Sequence, residues 1–465
     1  MKKQFSVTNL KNVRKQNWPY ITTWILYYAW VIVFTTWWVA SPITDSLLGT
    51  GSRVLLHSLN LIASAIVVVV LKKEYFRISG VIGSITILFT AAFSLLVKDP
   101  QLHTIAIVLL AISLGIVNIS ILVPMVYIMN NTEKFVSILS TFLLISVVML
   151  LEETGILNSA NGFWFSFLAL LVSVIPIFFF KSSDLDTSLP KDFNLIPKGK
   201  KVLYITVLMN CCYAIFCKGI GKSLVDSVIN AIGYSLFPAY YTGALLGCVF
   251  YYGIYRFFKY ANHITWNVTF AMFALAMVFY PLAQQQSMAL AFAGMIGAAS
   301  TMGMINMYYI VGVVGKKYWN YFYVKASVVL IGLCGGMAGT LLGSLFARST
   351  FAFPYGGLPV LVFSVLIILL LIILSPILEN TYYKEDWASD SEKVDIDNEK
   401  VFRFADYHLN PRETQLCQYL LQGHTIRQSA SLMNIQESTC NSYCKDLYRK
   451  LGINSRVELL NLFQD

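Results

Sequence analysis

Apolar residues in this chain come in runs of roughly 17–25, the length a helix needs to cross a hydrocarbon core of about 30 Å, and the runs stop abruptly near Glu379. Backbone in lipid has no water to bond, so it must satisfy its own amides and carbonyls, and such runs have to be helices. Composition agrees, at 57% hydrophobic and 12% charged residues, where a soluble domain carries about 25% charged. Mean hydropathy is +0.64. Two solvents shaped this sequence, and the boundary between them lies near Glu379. The expected fold class is all-α, a polytopic transmembrane bundle followed by a small polar helical domain.

The first run, Ile21–Ala40, follows Lys2, Lys3, Lys11, Arg14 and Lys15 and holds Trp24, Trp30, Trp37 and Trp38. It is too long and too Trp-rich for a signal-peptide core and reads as an uncleaved span. Further spans are expected at about 54–71, 78–97, 102–129, 135–151 and 163–180, then at 202–217, 235–255, 264–282, 288–314, 326–346 and 357–378. That makes twelve, in two sets of six. With the N-terminus cytoplasmic, the inner segments are 1–20, 72–77, 130–134, 181–201, 256–263 and 315–325. They hold about 19 Lys/Arg against about 5 in the outer segments, which decides the orientation by the positive-inside rule. The expected location is a bacterial inner membrane with both termini cytoplasmic. The domain boundaries that follow are 1–20 basic N-terminus, 21–180 first half, 181–201 central loop, 202–378 second half, 379–408 linker and 409–465 tail.

The central loop, with Lys181, Lys191, Lys198, Lys200 and Lys201, divides the spans six and six. This layout resembles the major facilitator superfamily, whose two six-helix halves enclose a substrate cavity and rock about it. The resemblance covers roughly residues 20–378. It departs from the family between spans two and three, where an Asp-Arg pair followed by Gly-Arg is replaced by Leu71-Lys72-Lys73-Glu74-Tyr75-Phe76-Arg77. Span centres hold almost no ionisable residues, which ion-coupled transport usually needs. Their polar groups are Asn60, Asn118, Asn210 and Asn306, a candidate cavity for a neutral or aromatic small molecule or hydrogen-bonding glue between helices. Gly332, Gly335, Gly336, Gly339 and Gly343 read as a close-packing face, with a dimer seam as the alternative.

Eight cysteines include no zinc-spaced C-x-x-C pair. Cys440 and Cys444, four apart on one helix, are either a redox or metal pair or two small core residues. Residues 379–399 hold eight acids against two lysines, a composition that stays solvated. With the stretch to Asn410 this makes a tether of ~30 residues with a coil reach of roughly 30 Å.

Charge says little about the tail, which from Lys400 onward holds eight Lys/Arg against six Asp/Glu. Punctuation says more. Asn410-Pro411-Arg412-Glu413 opens a helix that Gly423 ends; Thr425-Ile426-Arg427-Gln428 opens a second, to about Asn434. A third runs from about Glu437 to Leu451 and stops at Gly452, and Ser455-Arg456-Val457-Glu458 caps a fourth, ending near Phe463. Leu416, Leu420, Ala430, Leu432, Ile435, Leu447, Leu451 and Ile453 suffice for one small core.

Leu409-Asn410-Pro411-Arg412-Glu413, Gly423, Ala430, Ile435, Ser438-Thr439, Lys450-Leu451-Gly452-Ile453, Ser455-Arg456 and Glu458-Leu459 fall in the register of the LuxR/NarL family of helix-turn-helix domains, which the tail resembles. The resemblance implies that the helix from Glu437 enters the major groove of double-stranded DNA, supported by the helix from Thr425. It places Asn441, Ser442 and Lys445 on base edges and Arg427, Thr439 and Arg449 on phosphates. Asn441 stands where the family usually has Lys, Tyr443 where His is common and Cys440 where Val is; Asn favours adenine. The resemblance also implies dimers through the last helix, with Val457, Leu459, Leu460, Leu462 and Phe463 as apolar surface. The function expected is a membrane-anchored one-component transcriptional regulator, responding to a small molecule or membrane signal. Its implied partners are DNA, lipid, a second copy of the chain and RNA polymerase. The alternative is a transporter carrying a regulatory DNA-binding tail. No nucleophile–base pair, phosphate loop or metal spacing supports an enzyme or a cofactor.

Overall fold

The computed structural model describes residues 7–39, 52–97, 99–155, 162–187, 200–258, 261–339, 341–343, 345, 362, 365–366, 407, 409–421, 424–433, 435–453, 455–456, 458–459 and 462. The chain divides into two compact units, Met1–Asp390 and Ser391–Asp465.

Every regular element described is helical. In the first unit α1 (Trp18–Val39), α2 (Ser52–Val70), α3 (Phe76–Leu96), α4 (Pro100–Tyr127), α5 (Asn131–Glu153) and α6 (Gly162–Val174) precede the central loop. After it come α7 (Lys200–Tyr213), a π-helical stretch Ala214–Gly221, α8 (Lys222–Ile232), α9 (Phe237–Phe257), α10 (Ala261–Phe279), α11 (Gln286–Lys317) and α12 (Tyr321–Ser327), which runs on into a π-helical stretch Val328–Met337. These helices overlap the expected spans up to residue 337, but the helix from Lys200 runs on without a break to Ile232, well past its expected end at 217. Among the described residues, six stretches are long and apolar enough to cross a membrane, with three shorter apolar helices beside them. The unit is therefore a polytopic membrane bundle. The expected twelfth span, 357–378, falls almost wholly outside the described residues, as does the acidic linker.

Packing follows the two halves. In the first, α1 packs on α5 and α6, and α4 on α2 and α3; in the second, α11 is the hub for α9 and α10. The halves meet where α5 packs on α9, α4 and α5 on α11, and α2 on Val328–Met337. Gly243 and Gly297 permit the α9–α11 crossing, since a Cβ on either would overlap the backbone of Gly294 or Tyr240 respectively. Gly339 likewise lies against the backbone of Gly219, so that part of the glycine series serves close packing within the bundle.

The second unit holds α13 (Pro411–Leu421), α14 (Ile426–Leu432) and α15 (Glu437–Leu451). Beyond them Arg456, Glu458, Leu459 and Leu462 are also helical. Its core joins Leu416, Cys417, Leu420, Ala430, Met433, Cys440, Cys444, Leu447, Leu451 and Leu459. Met433 occupies the place expected of Leu432, which is only half-buried.

Candidate functional site

The tail's helices begin where the sequence places them. Asn410 Oδ1 accepts from Glu413 N at 2.8 Å while Glu413 Oε2 accepts from Asn410 N at 2.8 Å. Thr425 and Gln428 form the same reciprocal box at the start of α14. Glu413 also takes Lys450 Nζ at 2.7 Å, tying the start of α13 to the end of α15. Gly452 closes α15 at φ 64°, a conformation that favours glycine.

Helix α15 is sharply two-faced. Cys440, Cys444, Leu447 and Leu451 point into the core, while Ser438, Thr439, Asn441, Ser442, Lys445 and Arg449 are exposed. Asn441, Ser442 and Lys445 thus share one solvent face, with Thr439 and Arg449 at its ends. The basic groups are loosely held: Arg427 Nε lies 4.0 Å from Glu437, and Arg449 Nη2 donates to Asp446 Oδ1 at 2.8 Å, all four side chains being exposed. Pairs this exposed contribute little to stability, so phosphates can replace the acids. Arg456 is engaged differently, donating to the Leu420 carbonyl at 3.1 Å. Val457, Leu460 and Phe463, expected on a dimer helix, lie outside the described residues; Leu459 is wholly buried in the domain's own core and Leu462 packs against it.

Cys440 and Cys444 are core residues, and burial pushes both thiols up. Tyr448, half-buried beside Cys444, is pushed up to about 12, chiefly by that burial. Among the described residues no three His, Cys, Asp or Glu side chains gather around a possible metal position.

In the bundle the four asparagines divide. Asn118 Nδ2 donates to Asn60 Oδ1 at 3.0 Å and to Ser64 Oγ at 3.2 Å, joining α4 to α2. Asn306 donates to Asn262 Oδ1 at 2.8 Å and accepts from Tyr255 at 3.0 Å, joining α11 to α10 and α9. Asn210 is fully buried with neither side-chain atom hydrogen-bonded, and Trp266 Nε1 and Thr269 Oγ1 on α10 are in the same condition. Tyr213, one turn on from Asn210, sets its ring 5.9 Å from that of Trp266 at a tilt of 50°. Between the halves Trp24, Tyr28, Thr141, Phe142 and Tyr308 line a crevice. Its rings lie close, with Trp24 4.2 Å from Tyr28 and 5.6 Å from Tyr308.

One end of the bundle is stitched by residues from the basic segments. Glu133 is fully buried and accepts from Arg14 N at 2.9 Å, from Arg14 Nε and Nη2 at 3.3 Å each, and from Asn17 Nδ2 at 2.8 Å. Asn130 Nδ2 donates to the Asn12 carbonyl at 2.9 Å, and Arg256 of the second half donates to Thr8 at 3.4 Å. Residues 8–17 therefore strap both halves. Beside them Tyr321 OH donates to the Leu71 carbonyl at 3.0 Å, and Lys316 Nζ to that of Met129 at 3.0 Å. Lys73 Nζ lies 4.8 Å from the Trp319 ring and 5.4 Å from the Tyr127 ring. Trp319 is nearly buried at φ 46°, the one non-glycine residue with positive φ among those described.

The family profile of bacterial regulatory proteins, luxR family, matches residues 408–463. The tail is a LuxR-type helix-turn-helix domain. No curated protein matches the chain. In fold the chain is similar to a major facilitator superfamily transporter, FucP, in the outward conformation, at 12% identity over 78% of this chain and 99% of that one, with a TM-score of 0.56. It is similar to a bacterial homologue of the iron transporter ferroportin in outward-facing state (11% identity, 80% and 100% covered, TM-score 0.53). It is also similar to the proton:xylose symporter XylE bound to 6-bromo-6-deoxy-D-glucose (11% identity, 79% and 93% covered, TM-score 0.52). The first unit thus has a major-facilitator-like fold, and no enzyme fold is among these likenesses.

Between the LuxR-type domain and the bundle, sequence reasoning served the former better. The strap passes unseen in sequence because Arg14 and Glu133 lie 119 residues apart. The aromatic crevice is equally hidden, its rings coming from α1, α5 and α11. A signal for the strap was present in the Asn130–Glu133 capping box, whose acid has bonding capacity beyond the cap.

Proposed function

We propose that the chain is a membrane-anchored one-component transcriptional regulator. Its LuxR-type domain reads promoter DNA through Asn441, Ser442 and Lys445, with Arg427, Thr439 and Arg449 on phosphates, and the bundle supplies the signal. The observation that carries this reading is the exposed polar face of α15, whose Asn441, Ser442 and Lys445 side chains stand outside the tail's core. The positive-inside rule supports a bacterial inner membrane with the strapped end and both termini in the cytoplasm, where RNA polymerase is also found. A second copy through the last helix would match two half-sites one helical turn apart.

The buried, unbonded Asn210, Trp266 and Thr269 support a neutral small-molecule ligand with several hydrogen-bonding groups, since unmet buried polar groups cost free energy until something pairs them. The rings of the aromatic crevice close on one another here, so an apolar or aromatic ligand enters it only if the halves part. Whichever it is, the ligand acts only by binding one bundle conformation better than another. Trp319, held in a costly backbone conformation between Lys73 and Tyr127, is the residue placed to mark that change.

The fold likenesses bear more directly on a second reading, a secondary transporter carrying a regulatory DNA-binding tail, since the structures resembled are described as transporters. Against coupled transport stands the scarcity of ionisable residues at span centres.

A reporter driven by a target promoter separates the two when combined with uptake of labelled solutes into proteoliposomes. Asn441→Ala with Lys445→Ala abolishes reporter regulation on the first reading, with membrane insertion unchanged. Unaltered regulation in that variant overturns it. Accumulation of a solute, lost when Tyr308→Trp fills the crevice, establishes the second.

A further inference from the structure

On the lipid-facing side of the bundle a groove of about 320 Å3 runs between the two halves. Ile62, Ala65, Ile66 and Val69 of α2 form one wall, and Val329 and Leu333 of the π-helical stretch form the other. The walls run antiparallel: Lys325 Nζ donates to the Val69 carbonyl at 2.7 Å, while Leu61 lies beside Gly332. From Ile62 to Val69 the groove spans two helical turns, about 11 Å at 1.5 Å per residue, the length of the inner half of an acyl chain.

Its two ends differ. The Ile62–Leu333 end is apolar. At the Val69 end stand Lys325 and, just beyond α2, the exposed Lys72. From Val69 to Arg77 the chain carries Lys72, Lys73 and Arg77 against the single acid Glu74, and Lys73 is already engaged by Trp319 and Tyr127. An apolar slot closed at one end by cations has the shape of a phospholipid with an anionic head.

We propose that this groove binds one anionic phospholipid, its acyl chain between α2 and Val328–Met337 and its phosphate on Lys72 and Lys325. Because one wall belongs to each half, the lipid bridges the line along which the halves separate. It therefore favours the arrangement seen here, whether the bundle senses or transports. Membrane composition becomes an input to the bundle by this route.

The test uses the full chain in nanodiscs holding equal phosphatidylglycerol and phosphatidylcholine, released for native mass spectrometry. Two lysines at an anionic headgroup, each contributing about 1 kcal/mol, predict retention of phosphatidylglycerol over phosphatidylcholine by roughly thirtyfold. Lys72→Gln with Lys325→Gln brings the ratio to near one. Lys72→Gln alone, at an exposed position, lowers it severalfold without disturbing the fold. Ile66→Trp, on the exposed wall, reduces retention of both lipids. Equal retention by the unaltered chain, or a preference that survives the lysine substitutions, overturns the proposal. So does a dimer cross-linked through Ile66→Cys, which would make a second copy the occupant.

Discussion

Cys440 and Cys444 show how one residue's surroundings decide its chemistry. Four apart on α15, they share the helix with the exposed polar side chains of Asn441, Ser442 and Lys445, yet both thiols turn into the core among Leu416, Leu420 and Leu447. Burial disfavours the thiolate, the reactive form, so at pH 8 the fraction able to attack an alkylating reagent falls below that of an exposed cysteine. Iodoacetamide at pH 8 should leave both unmodified in the folded tail and modify both after denaturation. Rapid native alkylation would mean that α15 does not pack as described. Asn441 is the opposite case. Among the described residues no hydrogen bond holds its exposed side chain, so on the proposed function its identity answers to the DNA. Both placements follow from the 3.6-residue period of an amphipathic helix, which is why the exposed and buried faces of α15 were legible in the sequence residue by residue.

Elements were legible to the extent that their determinants are local. The boxes at Asn410–Glu413 and Thr425–Gln428 span four residues, and both formed where expected. Thr425→Ala should cost the tail about 0.5–2 kcal/mol, read as a lower unfolding midpoint of the isolated signal from α13–α15 in the intact chain; an unchanged midpoint would contradict the capping role. The π-helical stretches at Ala214–Gly221 and Val328–Met337 were not legible, because they arise where two helices press together rather than from composition. The strap was not legible either. Its test is proteolytic: trypsin should cut slowly at Lys11, Arg14 and Lys15. Glu133→Ala strips Arg14, Asn17 and the Asn130 amide of their acceptor at once, and should speed cleavage by about tenfold or more, each decade corresponding to about 1.4 kcal/mol. Equal rates would show that residues 8–17 are not held by Glu133.

At the scale of the molecule, a polytopic bundle and a LuxR-type domain are joined through an acidic stretch, for which composition and length lead to an expected coil reach of roughly 30 Å. On the proposed topology that places DNA reading in a thin shell beneath the membrane. Length and hydropathy made the polytopic bundle legible, and the register of capped helices did the same for the tail. The four asparagines were less informative: their types are visible in sequence, but whether a polar side chain is paired, as Asn60 is with Asn118, or unmet, as Asn210 is, depends on partners from other helices. The central claim is that the membrane-held chain binds specific DNA through α15. It is tested most directly by genome-wide crosslinking of the intact, membrane-inserted protein to DNA. Discrete promoter sites, lost in the Asn441→Ala, Lys445→Ala variant while its membrane level stays unchanged, are the predicted result; enrichment that is absent, or that persists in the variant, would contradict it.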